Sequence, residues 1–570
     1  MSRPADLILV DGEVLTVDAA STTAEAVAVT GGTITAVGSS ARIRAHAGPG
    51  TRTVDLRGRT VLPGINDSHL HAYGWGSNRP PLGLDVGHPA VRSIADIAAA
   101  VRAAAERAEP GEWIVGRGWD VGYLAECLDG SRTLPDRADL DAAAPDHPVC
   151  LTDFSDHMAW VNSAALRAAG IGRGSTAPPG GTIDTDATGL PTGILREAAQ
   201  RAVQGRVPRP DERRRRAAIT EAVRALHALG ITSYTEPGLG PGGEGIMAGA
   251  LGTAALPSYL ALAREGALDA RVSVLLLPAP MGGGAADVEA GLAELADLAR
   301  EIAEHADPRR LAVLGVKLFA DGVPPNRTAW MHHEYPGGGH GGLCVHGSGP
   351  GPQAAELAAM VLAAHRAGHQ IGVHVTGDAA IDAVTDALAA AHRAHPRPDA
   401  RHYLIHGDFA TPGALATLAA HGWGVNMNPA IKWTISDLMD RVVGPDRSAR
   451  MWPARSALDA GVRLCASSDA PITEPDWRQG VASMLLRESK ASGRPSGPAE
   501  RVDLRTALRA YTAEPAHQDF AGDWKGSVEV GKVADLCVLG GRLTATSPHD
   551  LPAVPVDLTV FDGRIVHGAA

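Results

Sequence analysis

The chain has 570 residues, 45% of them hydrophobic and 20% charged. That is enough for a large core and more than one domain, although a barrel enzyme with insertions also reaches this length. A net charge of −12 argues against nucleic acid or an anionic membrane as the main partner, and the charged fraction is that of a globular rather than a disordered protein. Cys127, Cys150, Cys344, Cys465 and Cys537 are widely spaced, odd in number and lack a Cys-x-x-Cys. Neither a disulfide framework nor a thiolate zinc site is expected, and a reducing compartment is.

The opening "MSRPADLILVDGEV" alternates and turns too early for a signal peptide, and no apolar run is long enough to span a membrane, so the expected location is cytoplasmic. Residues 1–60 read as short strands, with Asp11-Gly12 and Gly31-Gly32 as hairpin turns. Residues 522–570 read the same way through "GSVEVGKVADLCVLGG" and "VDLTVFDGRIVHG". One small β-sandwich assembled from both ends explains the match.

Between them, residues 61–521 alternate apolar runs with Ala/Leu/Arg-rich helical runs. The strand candidates are Val61–Ile65, Ile231–Thr235, Val272–Leu277, Val313–Phe319, Gln370–Val375, Tyr403–His406, Gly424–Met427 and Arg463–Ser467. Eight strands separated by helices is the count of a (β/α)8 TIM barrel, an α/β fold. A doubly wound sheet is the alternative, but no glycine-rich phosphate loop follows the first strand. The interval of about 165 residues between the first two candidates is too long for one connection. It predicts an insertion over about 76–210, leaving from the catalytic face and forming a wall of the site.

The chemistry-bearing residues fall at the strand ends. In "VLPGINDSHLHAYGWG", His69 and His71 stand one residue apart. On an extended strand both rings share a face and can hold one ion; a pair of ordinary histidines near a turn is the alternative. Strand four carries Lys317 inside an apolar run, where lysine is seldom buried without a partner. Strand five carries His374, strand six ends at His406 and strand eight ends at Asp469. Singly, each histidine reads as a satisfied strand-end residue and Asp469 as a turn or helix cap. Together, at equivalent positions of a closed barrel, they converge on one mouth and point to a metal centre.

This pattern resembles the amidohydrolase superfamily. "VLPGINDSHLHA" resembles its "PG(F/L)xDxHxH" and "GSVEVGKVADLCVLG" its "GSIxxGKxADLVVL". The segments "WIVGRGWD", "AWVNSAAL", "LPTGILREAA" and "VKLFADG" resemble the YtcJ-like branch. After "VKLFADG" that branch continues with a Ser-Leu-Gly stretch, whereas this chain has "VPPNRTAW" (Val323–Trp330), in a loop expected to face the substrate. The resemblance implies that His69, His71 and Asp469 bind one divalent metal, that His374 and His406 bind a second, and that Lys317 bridges them as a CO2-derived carbamate. Zinc suits imidazole and carboxylate ligands, with one or two ions per chain. Asp469 would take a proton from the attacking water and deliver it to the leaving nitrogen.

The expected activity is hydrolysis of an amide-type C–N bond, in an N-substituted formamide or N-acyl amine, by metal-activated hydroxide. Deamination or cyclic amide hydrolysis on the same site is one alternative, although Val-Thr-Gly-Asp after His374 weighs against deamination. A non-catalytic binding or regulatory role is another. The expected partner is a small-molecule substrate, without nucleic acid or membrane, and a homodimer is allowed.

Other residues have weaker assignments. His157, in the insertion, is a pocket and catalytic candidate, with a structural role as the alternative. Asp67 shares the face of the histidine pair and would support it from behind. Asp321 is either a pocket group or a turn residue, His332-His333 belong to a Gly/Pro-rich loop, and Arg213–Arg216 form a solvated helix face. Trp75, Trp119, Trp160, Trp330, Trp433 and Trp452 fall near mouth loops or the insertion and hint at an apolar substrate group.

Overall fold

The computed structural model describes residues 3–88, 90–154, 158–178, 181–243 and 252–569. The chain forms two compact units, one of Met1–Ala72 with Val223–Ala570 and the other of Tyr73–Ala222.

The first unit is built on an eight-stranded parallel sheet in sequential order. Its strands are β1 (Ile65–Asp67), β2 (Ile231–Leu239), β3 (Arg271–Leu276), β4 (Leu311–Phe319), β5 (Gln370–Val375), β6 (Tyr403–His406), β7 (Gly424–Met427) and β8 (Arg463–Ala466). Helices such as Ala285–His305, Pro350–Arg366 and Asp378–Ala394 separate them. Strands buried on both faces are apolar along most of their length rather than alternating, which is why short Val/Ile/Leu runs mark them in the sequence. Leu275, Tyr403 and Ile405 pack together inside. Gly372 leaves room for the Tyr403 ring, since a Cβ there would lie 2.9 Å from its Cζ.

No ladder joins β8 to β1. The circle is closed just beyond the strands instead. Asp469 N–H donates to His69 O at 2.9 Å, His71 N–H to Ala470 O at 2.9 Å, and Ser68 Oγ to Ala466 O at 3.0 Å. The result is a (β/α)8 barrel. Underneath, Asp519 accepts from Asn66 Nδ2 at 2.9 Å and from Lys525 Nζ at 2.8 Å, a buried charge satisfied as burial requires.

The first strand candidate, Val61–Ile65, is divided between two sheets. Thr60–Pro63 belongs to a six-stranded sheet and only Ile65–Asp67 enters the barrel. Gly64 sits at the break because the chain passes so close to β2 that a Cβ would lie 2.2 Å from Thr232 Oγ1. Apolar periodicity cannot show a change of partner inside one apolar run.

That six-stranded sheet also takes Glu13–Leu15, Thr23–Ala24, Leu536–Leu539, Val556–Phe561 and Arg564–His567, so it draws on both ends of the chain. A four-stranded sheet of Leu7–Val10, Ala26–Thr30, Thr33–Gly38 and Arg52–Asp55 faces it across a shared core that includes Leu9, Val27, Val61, Leu536 and Val560. Arg271, at the start of β3, donates to Asp535 at 2.5 and 2.9 Å and to Asp562 at 3.0 Å. This bidentate, charge-assisted arrangement ties the barrel to the sandwich.

The second unit holds its own six-stranded mixed sheet, from Leu84–Asp85 through Ile114–Trp119, Val149–Asp153, Met158–Val161 and Pro191–Glu197 to Gly181–Thr185. Its core includes Ile97, Trp119, Leu151, Trp160 and Ile194. The cysteines are unpaired. Among the described residues no helix is long and apolar enough to cross a membrane.

Candidate metal centre

The bonds that close the barrel also assemble the site. His69 and His71 follow β1, Asp469 follows β8, and the cross-bonding of their backbones turns three side chains towards one point. His69 Nε2 lies 3.3 Å from Asp469 Oδ1 and His71 Nε2 lies 3.5 Å from the same oxygen. All three residues are buried. Asp469 has φ of 56° and His406 of 75°, conformations that non-glycine residues adopt at a cost and that concentrate at functional sites.

The other candidates surround this cluster. Lys317 Nζ, on β4, is 3.5 Å from His69 Nε2, and the His69 and His406 ring centroids are 5.6 Å apart. His374, on β5, lies 4.6 Å from His406 between ring centroids. Hydrogen bonds orient these rings. His406 Nδ1–H donates to Asn428 Oδ1 at 2.7 Å, leaving Nε2 free. Asn428 is itself held through Nδ2 by Ser467 Oγ at 3.0 Å. His374 Nε2–H donates to Gly322 O at 3.2 Å, which leaves Nδ1 as its lone-pair nitrogen. Asp67 accepts the backbone N–H groups of His69 and Ser468, each at 3.2 Å, and so fixes both ligand-bearing segments.

Burial sets the charge states. It holds His69 well below the ordinary imidazole range, reinforced by Lys317, and holds His374 there too, reinforced by His406. Neutral imidazole is the form that binds a metal. Burial works to raise the Asp469 carboxyl, but the hydrogen bonds from His69 and His71 outweigh it and keep the group ionised. Burial pushes Lys317 down to about 8, and among the described residues no carboxylate pairs with it. An ion held tetrahedrally at about 2.0–2.1 Å from each ligand leaves neighbouring donors about 3.4 Å apart. The 3.3 and 3.5 Å separations at Asp469 match that spacing, so the residues present fit a divalent ion.

Some candidates play other parts. Asp321 accepts backbone N–H groups from Trp330 at 2.9 Å, Thr376 at 3.0 Å and Gly377 at 2.9 Å; it organises the loops after β4 and β5. His332 pairs with Asp382 at 2.8 Å on the surface. Trp119 and Trp160 are core residues of the second unit, their Nε1–H groups donating to Leu151 O at 2.9 Å and Asp136 O at 2.8 Å. They bury their indoles rather than offer them to a substrate. His157 lies outside the described residues. Asn428 and Ser467 were not singled out from the sequence. The only trace of Asn428 there is its position immediately after a strand, before a proline.

A barrel with histidines and a carboxylate at its carboxyl-terminal strand ends defines a class, that of the metal-site hydrolase barrels. Residues 52–567 match the Amidohydrolase family, and the chain belongs to it. It is thus a hydrolase acting on carbon–nitrogen bonds other than peptide bonds. The chain is 28% identical to the N-substituted formamide deformylase of Arthrobacter pascens, over 99% of this chain and 98% of the relative. It is also 28% identical to YtcJ of Bacillus subtilis (strain 168), over 95% and 96% respectively. Its fold matches the crystal structure of an uncharacterised metal-dependent hydrolase from Pyrococcus furiosus, with a TM-score of 0.70 and 23% identity over 95% of this chain and 99% of that one.

Proposed function

We propose that this protein hydrolyses the amide bond of a small N-acyl amine, with N-substituted formamides as the substrate class to test first. The observation that carries this reading is the convergence of His69 and His71 on Asp469 Oδ1, with Lys317, His374 and His406 grouped beside them. The deformylase and metal-dependent hydrolase named above support it.

His69, His71 and Asp469 would hold one divalent ion, for which zinc suits the donor set, and His374 and His406 would hold a second. Bound there, the metal supplies acidity to a water and polarises the substrate carbonyl. The remaining steps belong to the chain. Burial pushes the Lys317 amine down to about 8, which favours its neutral form relative to an exposed lysine. That neutral amine adds to CO2 and releases a proton, and the resulting carbamate supplies the anion that the imidazoles lack. Asp469 accepts the proton of the attacking water and passes it to the leaving nitrogen, which departs as the amine. Asn428 and Gly322 keep the His406 and His374 rings in position.

The test is metal analysis of the purified protein followed by an amine-release screen of N-substituted formamides, N-acyl amines, lactams and carbamates. Stoichiometric divalent metal with turnover of the formamides is expected. A metal-free protein, or a metal-replete one inert to every amide while releasing ammonia from a ring amine, overturns the proposal.

A further inference from the structure

An aromatic ring stands beside the metal centre. β4 ends at Phe319, two residues beyond Lys317, and on a strand that spacing puts both side chains on one face. Lys317 Nζ lies 5.0 Å from the Phe319 ring centroid, and the Phe319 and His374 ring centroids are 5.2 Å apart. Over residues 316–321 and 370–377, at the ends of β4 and β5, every residue is buried except these two, which are half-buried. The surface left open there therefore belongs to the Phe319 and His374 rings, on the face that carries the site.

The ring is carried on a fixed backbone. Phe319 pairs with His374 in the β4–β5 ladder, and Ala320 N–H donates to His374 O at 2.9 Å. Two residues further on, Asp321 accepts from Trp330, Thr376 and Gly377 and ties the loops after both strands together. Position gives the ring a task. The eight strands follow in sequential order, so in the closed barrel β4 stands opposite β8. Asp469 follows β8 and, in the reaction proposed above, delivers the proton to the leaving nitrogen. That nitrogen is turned towards β8, and the acyl substituent is turned across the mouth towards β4, where it meets Phe319.

We propose that Phe319 is the wall of the acyl pocket and restricts the substrate to a formyl group. A hydrogen on the carbonyl carbon clears the ring, whereas each added methyl or methylene is pushed against a phenyl group on a backbone that cannot give way. The inference rests on the reading of this protein as an amide hydrolase and names the acyl group that reading takes. Phe319 places no restriction on the N-substituent, which leaves on the other side of the mouth.

The test uses metal-replete enzyme and N-benzyl amides carrying formyl, acetyl, propanoyl and butanoyl groups, all of which release the same amine. Formamides are also the more reactive amides in water, so the deciding comparison is between wild type and Phe319→Ala. At unchanged metal content, the formyl-to-butanoyl ratio of kcat/KM should fall by about 10–200-fold in the variant, the scale on which a pocket rejects a surplus methylene. Phe319→Val decides the matter if the alanine variant does not fold. Calorimetric titration with the acid products reads the same pocket without turnover: the wild type should bind formate and reject butanoate, and Phe319→Ala should bind both. A series of N-alkyl formamides should keep its relative rates in the variant. An unchanged acyl ratio, or a change confined to the N-alkyl series, overturns the inference while leaving the hydrolase reading intact. If the wild type hydrolyses no amide, the functional reading fails and the inference falls with it.

Discussion

Lys317 is 2% exposed and has a histidine nitrogen, not a carboxylate, as its neighbour at 3.5 Å. A protonated amine between two divalent ions would be strongly repelled, so the side chain contributes to a metal site only as a modified or neutral group. Lys317→Ala should therefore lose metal and activity together, measured by elemental analysis and amine release, and added formate or acetate should restore part of the activity by filling the vacated bridge. Asn428 has a different role. Replacing it with Leu frees His406 to rotate and to change tautomer, and should weaken metal affinity by about 10–100-fold, read by competition with a chelator. The two residues also differ in how they could be found. Lys317, the histidines and Asp469 were legible because a charged or metal-binding residue at the end of an apolar run is conspicuous. Asn428 was not, because its importance lies in one hydrogen bond to a residue on the neighbouring strand, which no pattern along the chain encodes. Asp67 was legible only in part. Its strand parity with His69 suggested support from behind, but not that it would accept amides from two segments 400 positions apart.

Strands β5, β6 and β7 were readable to the residue because their apolar runs are bounded by glycine, proline or polar residues and their partners are their sequence neighbours. The first strand candidate failed where two sheets share one apolar run. Beneath β5 and β6 lies a feature that periodicity also hides. Ile371 N–H donates to His402 Nδ1 at 3.0 Å, so His402 Nε2–H donates to His365 Nδ1 at 2.8 Å, and His365 Nε2–H donates to His395 O at 2.7 Å. Each tautomer fixes the next. Burial holds His402 well below the ordinary 6.5, reinforced by the neighbouring His365, Arg397 and His392, and burial lowers His365 as well. The folded chain thus refuses a proton that the unfolded chain accepts near 6.5. The unfolded state gains protons first as pH falls, so stability is lost below that value. Between about pH 7 and about pH 5 the melting temperature should drop by more in the wild type than in His402→Gln, whose amide can accept from Ile371 and donate to His365 without titrating. Equal slopes in a thermal unfolding series would refute the assignment.

In the unit that carries the site, the ion would act as a staple as well as a reagent. A ligand that binds only the folded state stabilises it by about 2.7 kcal/mol when its free concentration is about 100 times Kd. Chelation should therefore lower the melting temperature as well as abolish turnover, and Asn428→Leu should be less sensitive to the chelator because it starts with weaker binding. Calorimetry with and without chelator checks both. The barrel seam adds a constraint in time. The bonds from Asp469 to His69 and from Ala470 to His71 join segments 400 residues apart in the chain. At about 5–20 residues per second, the ribosome delivers the second about 20–80 s after the first. Through that interval His69 and His71 lack the carboxylate on which they converge. An ion bound before β8 docks against β1 would lack its carboxylate ligand, so the three-residue cluster is complete only once that seam has closed.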